Sequence, residues 1–143
     1  VQNRSGKGQI SYVNGTISYK FDQVDPLRYN TFHQNLSSRE ALIETYDSKY
    51  PDGLVQLLQI FRSHRTGDLV LSAESGYDLR ARYEYPEHRA THGGLIAEQM
   101  LIPLAVNFPI ETEFIRSVDI FPTVLDQFGH KIEGFEIDGQ IVK

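Results

Sequence analysis

The sequence predicts a mixed α/β fold, with α+β as the open alternative, that begins with a β-hairpin. Three observations lead to this prediction. Two alternating runs flank a tight-turn pair near the start, two amphipathic helical patterns follow, and short apolar runs then alternate with helical patterns in the second half. That alternation favours a layered sheet-and-helix arrangement. At 143 residues, the chain suits one domain that spans residues 1–143.

The hairpin is predicted from residues 9–21. Residues 9–13 and 16–21 read as strands on either side of Asn14-Gly15. This dipeptide is the preferred pair for a two-residue turn, because both of its residues tolerate the left-handed backbone that such turns require.

Two helices are predicted after the hairpin. Ser37 and Glu40 have the spacing of a capping box, so a helix of about ten residues should follow and should end before Tyr50-Pro51. A second helix should begin near Asp52 and end before Gly67. Its apolar residues recur at helical spacing: Leu54, Leu57, Leu58 and Phe61.

Later in the chain, apolar runs predict strands at residues 68–73, 100–106 and 113–115. The run from Met100 to Val106 has no alternation, which is typical of a strand covered on both faces. Residues 117–128 predict a final helix closed by Gly129. Because proline is tolerated only in or near the first helical turn, Pro122 leaves a later start at Asp119 or Ile120 as an alternative.

Composition excludes several classes of protein. The net charge of −5 argues against nucleic acid or an anionic membrane as the main partner. There is no cysteine, which excludes disulfides and thiolate metal sites, and no apolar run approaches the ~20 residues of a membrane span. We expect a soluble protein, with cytoplasm and periplasm both open. Because the chain begins at Val1, we also expect it to be part of a longer polypeptide.

His92 is the candidate metal ligand. It precedes Gly93-Gly94, and a histidine on such a turn beside a sheet presents its imidazole where a metal or substrate can reach it. The alternative is a turn histidine that bonds its own loop. His88 lies four residues earlier, but Pro86 and the two glycines argue against a helical zinc-binding pair. No Walker loop, nucleophile elbow or dinucleotide fingerprint accompanies His92.

Arginine and tyrosine interleave over residues 77–89. Arginine offers a bidentate fork to phosphate oxygens, so this stretch could contact a phosphate. We prefer the alternative of a solvated pair of strands. The remaining histidines have no partner that the sequence identifies: His33, His64 and His130.

An ordered series of short motifs carries a resemblance to a known family. The motifs occupy residues 67–73, 76–80, 87–94, 100–104 and 118–125, followed by Gly129 and Asp138-Gly139. This series resembles the C-terminal part of alkaline phosphatase superfamily proteins, and the nearest branch is that of the type I phosphodiesterase/nucleotide pyrophosphatase-like proteins. The resemblance is strong over residues 65–140 and weaker over residues 1–64.

The resemblance implies a fold, an activity and a role for one residue. Family members hydrolyse phosphate or sulfate esters at a two-metal centre, usually zinc, and His92 matches the last metal-ligand histidine of the family. The segment at residues 118–123 is a structural helix in these proteins. The Ser or Thr nucleophile and the Asp-His motifs of the family precede the part matched here, and this sequence has neither.

The chain is therefore expected to be the C-terminal segment of a metal-dependent phosphodiesterase or phosphohydrolase, a hydrolase that is not catalytically complete without its other part. Phosphodiester, monoester, phosphonate and sulfate substrates stay open. Its expected partner is the remaining N-terminal part of the same protein or a second copy. The alternative is a non-catalytic scaffold or interaction module that keeps the family's C-terminal fold.

Overall fold

The computed structural model describes residues 1–77, 79, 92–134 and 136–143. The described residues group into two compact units, Val1–Ile102 and Pro103–Lys143. The first unit contains a three-stranded antiparallel sheet whose strands precede the helices. This is the α+β form of the mixed fold. In chain order, the elements are β1 (Lys7–Val13), β2 (Thr16–Asp22), β3 (His33–Leu36), α1 (Ser38–Thr45), α2 (Gly53–Ile60), α3 (Ala97–Met100) and α4 (Ser117–Gln127).

The predicted hairpin is confirmed. β1 pairs with β2 in antiparallel register from Lys7↔Asp22 to Val13↔Thr16. Asn14 and Gly15 have φ values of 50° and 81°, the left-handed backbone of a two-residue hairpin turn. β3 pairs with the other edge of β2, so the sheet order is β1-β2-β3.

α1 begins with the predicted capping box. The Ser37 side chain accepts a hydrogen bond from the Glu40 amide at 3.2 Å, and the Glu40 carboxylate accepts one from the Ser37 amide at 2.7 Å. These hydrogen bonds to Ser37 lower the pKa of Glu40. The helix ends at Thr45, earlier than predicted. The Thr45 hydroxyl accepts from the Asp52 amide at 2.9 Å, so the end of α1 is joined to the start of α2.

The core of the first unit lies between one face of the sheet and the two helices. Tyr19 is its largest fully buried side chain. It stands on β2, where alternate residues face inwards. The buried apolar cluster is formed by Ile17, Tyr19, Leu27, Leu36, Ala41, Leu54 and Val55.

A buried carboxylate organises the loop between β2 and β3. Asp25 Oδ1 accepts hydrogen bonds from the Tyr19 hydroxyl at 2.5 Å and from the Leu27 amide at 2.8 Å, while Oδ2 accepts from the Asn30 amide at 2.8 Å. Arg28 and Asn30 have positive φ values of 58° and 59°. The Asp25 carboxylate therefore holds a loop whose backbone is locally strained.

The three strands predicted after residue 67 are wrong. Residues 68–73, 101–106 and 113–115 form no strand, and Met100 belongs to α3. Leu69 is 84% exposed and Ile102 is 70% exposed. An apolar run adopts a strand only beside a partner strand, because its backbone donors and acceptors must pair in a ladder. The described sheet provides these runs with no such partner.

The second unit is built on α4, which begins at Ser117 as predicted and not at the alternative start of Asp119 or Ile120. Pro122 lies inside the helix and provides no amide hydrogen for the Val118 carbonyl. Gly139 packs against that carbonyl so closely that a Cβ at this position would lie 2.0 Å from the oxygen. A tertiary contact of the C-terminal segment thus occupies the face where the helical hydrogen bond is missing.

Side-chain oxygens of α4 hold the end of the chain. Asp119 Oδ2 accepts from the Arg116 amide and Oδ1 accepts from the Gln140 amide, both at 2.9 Å. Thr123 Oγ1 accepts from the Val142 amide at 3.0 Å. Asp119 and Thr123 are buried, and these bonds satisfy their oxygens. None of the described helices has the length and apolar character of a membrane span.

Candidate metal-ligand turn

His92 is exposed, in an irregular segment that leads into α3. Gly93 follows it with a φ of 87°, a backbone conformation that residues other than glycine rarely adopt. The exposed imidazole is open to solvent, where a nitrogen lone pair can reach a metal ion.

The far side of the turn is held by a side chain from α3. The Gly94 amide donates to Gln99 Oε1 at 2.6 Å. α3 is itself attached to the segment after α1, because the Ala97 amide donates to the Lys49 carbonyl at 2.9 Å. Gln99 was not predicted from the sequence. The signal was a long side chain with a hydrogen-bond acceptor, placed five residues after Gly94.

His92 belongs to no larger cluster of possible metal ligands in the described part of the chain. Within residues 1–77, 79, 92–134 and 136–143, no group of three or more His, Asp or Glu side chains could hold a metal ion. A catalytic zinc site needs about three protein ligands. The imidazole suits zinc, but the described residues do not complete a zinc site.

Two of the sequence hypotheses fall outside the described residues. His88, the other member of the disfavoured helical pair, lies in the part that is not described, and so do Asp78 and residues 80–89 of the arginine and tyrosine stretch. Tyr77 is described, and its side chain is exposed.

A second group of titratable side chains lies in the core of the first unit. His33 Nδ1 is 2.7 Å from Glu44 Oε2, and the ring packs edge-on against Tyr29 at a centroid distance of 5.5 Å. His33 Nε2 has no hydrogen-bond partner among the described residues. Because His33 is 3% exposed, a solute cannot reach it without opening the core. We therefore assign this cluster to the packing of β3 against α1.

Burial also shifts two phenols of this core. Burial raises the pKa of Tyr19 well above its ordinary value, and the hydrogen bond to Asp25 adds to the effect. Burial, followed by the charges of Asp25 and Asp52, raises the pKa of Tyr29. The Tyr29 hydroxyl donates to the Tyr50 carbonyl at 2.8 Å. Both groups are held as neutral hydrogen-bond donors.

The other two histidines lie apart from His92 in the sequence and have different surroundings. His64 is exposed after α2. His130 follows α4 and lines an open groove of about 480 Å³ in the second unit, together with acidic and aliphatic side chains. The groove residues are Pro122, Asp126, His130, Lys131, Ile132, Glu133, Ile137, Gly139, Gln140 and Ile141.

The chain was compared with known families and proteins. No family model matches it, and neither a curated protein nor a solved structure does.

Proposed function

We propose that this chain is the C-terminal part of a metal-dependent phosphodiesterase or phosphohydrolase of the alkaline phosphatase superfamily, and that it supplies His92 to a zinc centre. The observation that carries the proposal is the exposed imidazole of His92 directly before Gly93, a glycine with a positive φ. The ordered motifs that surround this histidine support the same assignment.

In this proposal, the chain contributes one ligand and a support for it. A neutral imidazole nitrogen of His92 would hold the metal, and Gly93 and Gly94 bring no bulky side chain to its approach. A two-metal centre would supply electrostatic stabilisation of the charge that develops during phosphate ester hydrolysis. The nucleophile and the other ligands come from a part of the polypeptide beyond the described residues. The layered sheet of the superfamily would then form with that part.

The exposed apolar segments support the proposal that this chain associates with a partner. Leu69 and Leu71 are exposed in one segment, and Leu101, Ile102 and Leu104 are exposed in another. Exposed aliphatic runs with unpaired backbone favour association, because burial removes apolar area from water and pairs the amides and carbonyls. The proposed partner is the remaining part of the same polypeptide or, without it, a second copy.

Self-association is therefore expected for the isolated chain. At micromolar concentration, its sedimentation coefficient should rise with concentration. Leu69→Lys combined with Ile102→Lys should reduce this dependence, because charges in the exposed segments oppose their burial. A matched change to lysine at exposed Gln9 serves as the control. A wild-type chain that sediments as an ideal monomer at every concentration would contradict the prediction.

The experiment on function uses the longer polypeptide that carries this chain with its N-terminal part. We expect His92→Ala to lower both zinc affinity and zinc-dependent hydrolysis of a bis-nitrophenyl phosphate by about 100-fold or more, since even outer-shell changes cost about 10–100-fold. Zinc affinity is measured by competition with a chromophoric chelator. His64→Ala, at an exposed histidine after α2, is the matched control. The isolated chain should show no turnover above background.

The outcomes separate the two functional hypotheses. A longer polypeptide that hydrolyses the ester with unchanged zinc affinity after His92→Ala would show that His92 is not a ligand. A longer polypeptide that neither binds zinc nor hydrolyses phosphate or sulfate esters would overturn the enzyme proposal in favour of a scaffold or interaction module.

A further inference from the structure

We infer that Asn14 is a site of spontaneous covalent modification, at which the folded protein converts asparagine to aspartate and isoaspartate. Asn14 and Gly15 are exposed in the turn between β1 and β2, with φ values of 50° and 81°. Apart from the neighbours of Gly15 in the chain, no atom of the described residues lies within 4 Å of the position that a Cβ on Gly15 would take. The inference does not depend on the proposed function.

The reaction needs no reagent other than water. The Gly15 amide nitrogen attacks the side-chain carbonyl carbon of Asn14, and the new C–N bond closes a succinimide ring. The side-chain nitrogen of Asn14 leaves as ammonia and takes the proton that the Gly15 amide gives up. Water then opens the ring at either carbonyl. Opening at the former side-chain carbonyl gives aspartate, whereas opening at the main-chain carbonyl gives isoaspartate, whose backbone passes through the former side chain.

The attacking nitrogen is available in the folded hairpin. In the part of the chain that the structure describes, the Gly15 amide donates to no backbone carbonyl. The turn is held instead by the pairing of Val13 with Thr16 and by the Thr16 hydroxyl, which donates to the Val13 carbonyl at 2.9 Å. Because Gly15 has no Cβ, no side chain shields its nitrogen. The approach of the Asn14 side chain therefore costs no hydrogen bond of Gly15.

Two other asparagines provide a comparison within the chain. Asn30 and Asn35 are exposed and have φ values of 59° and 54°, close to that of Asn14. Thr31 follows the first and Leu36 follows the second, and each carries a branched side chain beside the nitrogen that would have to attack. The three asparagines thus share a left-handed backbone, and only Asn14 has an unshielded nitrogen after it.

A second pair shows that the fold, and not the sequence motif alone, selects the site. Asp52-Gly53 could close the same ring with loss of water, but Asp52 is 4% exposed. The Gly53 amide donates to the Tyr50 carbonyl at 3.1 Å, and a Cβ on Gly53 would lie 2.7 Å from the Tyr29 hydroxyl. The structure encloses this pair and leaves Asn14-Gly15 open.

Isoaspartate at position 14 should weaken the hairpin. It adds one carbon to the backbone of a two-residue turn, and the turn type and loop length fix the register of the two strands. β2 contributes Ile17 and Tyr19 to the core, and both are buried. Aspartate at position 14 should not have this effect, because Asp-Gly suits the same turn.

The first test incubates the 143-residue chain in warm neutral buffer. Peptide mapping by mass spectrometry detects the change from amide to acid at each asparagine, and a protein isoaspartyl methyltransferase labels isoaspartate. We expect Asn14 to react at least about tenfold faster than Asn30 and Asn35, which corresponds to a small difference in activation barrier. Asn14→Gln is the control and should abolish the signal, because glutamine must close a larger ring.

The second test asks whether the folded chain reacts. If only the unfolded chain did, the native rate would be lower than the rate in concentrated urea by about 1,000-fold or more. We expect a native rate within about 100-fold of the rate in urea. Asp25→Ala, a core change far from the turn in the sheet, should raise the unfolded population about 100-fold and leave the rate at Asn14 unchanged. If this variant fails to fold, the comparison with urea decides.

The third test separates the isoaspartyl chain by ion exchange and measures its unfolding in urea. Its midpoint should lie below that of the unmodified chain, whereas Asn14→Asp, the control for the added charge, should keep the wild-type midpoint. Equal rates at the three asparagines would overturn the inference. A rate at Asn14 that follows the unfolded population would overturn the reaction of the folded turn, and an unchanged midpoint of the isoaspartyl chain would overturn its effect on the hairpin.

Discussion

Replacing Asp25 by alanine is expected to lower the free energy of unfolding of the first unit by about 3 kcal/mol or more. The substitution removes the acceptor of the Tyr19 hydroxyl and the Leu27 amide, both of which are buried, and also of the Asn30 amide. Each buried donor left without a partner costs about 1–3 kcal/mol. The loop would also lose the contact that holds the positive φ of Asn30.

Chemical unfolding followed by far-ultraviolet circular dichroism measures this change. Asp22→Ala is the control, because Asp22 is exposed three residues earlier, and a surface change of this kind shifts stability by about 0.5 kcal/mol or less. Tyr19→Phe should cost less than Asp25→Ala, since Asp25 keeps its two backbone donors. Equal midpoints for Asp25→Ala and Asp22→Ala would contradict the assignment of Asp25 as the organiser of the loop.

Alkaline unfolding of the first unit is the second large effect that we expect. The pKa values of Tyr19 and Tyr29 are raised in the fold, mainly by burial. An unfolded phenol ionises near pH 10. The folded state therefore keeps its full stability, as far as these two phenols are concerned, below about pH 10. It loses stability as the pH rises above that value. Each phenol that stays protonated in the fold removes about 1.4 kcal/mol of stability per pH unit in that range.

The measurement combines far-ultraviolet circular dichroism with the near-ultraviolet absorbance of tyrosinate. The loss of secondary structure and the ionisation of Tyr19 and Tyr29 should occur in the same pH range. Tyr29→Phe should make the alkaline loss of stability shallower, although it removes the hydrogen bond to the Tyr50 carbonyl. Tyr77→Phe is the control, because Tyr77 is 73% exposed. Ionisation of every tyrosine near pH 10 with the fold intact would refute the prediction.

The positive φ of Gly93 accords with the two glycines of the sequence, since glycine adopts this backbone without a steric cost. The hydrogen bond at Gly94 could not be predicted from the sequence. Gln99 could have reached several donors, and the fold of α3 brings it to the Gly94 amide. The hydrogen-bond partner of His33 could not be predicted from the sequence either. Glu44 lies eleven residues away and meets the imidazole only because α1 packs beside β3.

Pro122 shows where a local rule leaves two answers open. Proline weakens a helix because a carbonyl loses its donor, so a start at Asp119 or Ile120 remained possible beside the start at Ser117. α4 begins five residues before it, at Ser117. The Asp119 carboxylate accepts from the Arg116 amide at the helix start, and Gly139 packs on the Val118 carbonyl. One of these contacts is local to the helix start, and the other comes from Gly139, near the end of the chain.

Features whose chemistry lies within about four residues were readable from the chain alone: the Asn14-Gly15 turn, the capping box of Ser37 and Glu40, and the amphipathic α2. The apolar runs at residues 68–73 and 101–106 were not, since the same residues suit a strand, a buried helix or an exposed segment. Their conformation depends on whether another strand lies alongside, and the described sheet ends at β1 and β3. Backbone pairing between distant segments is a tertiary property, because each strand supplies only half of the hydrogen bonds that define it.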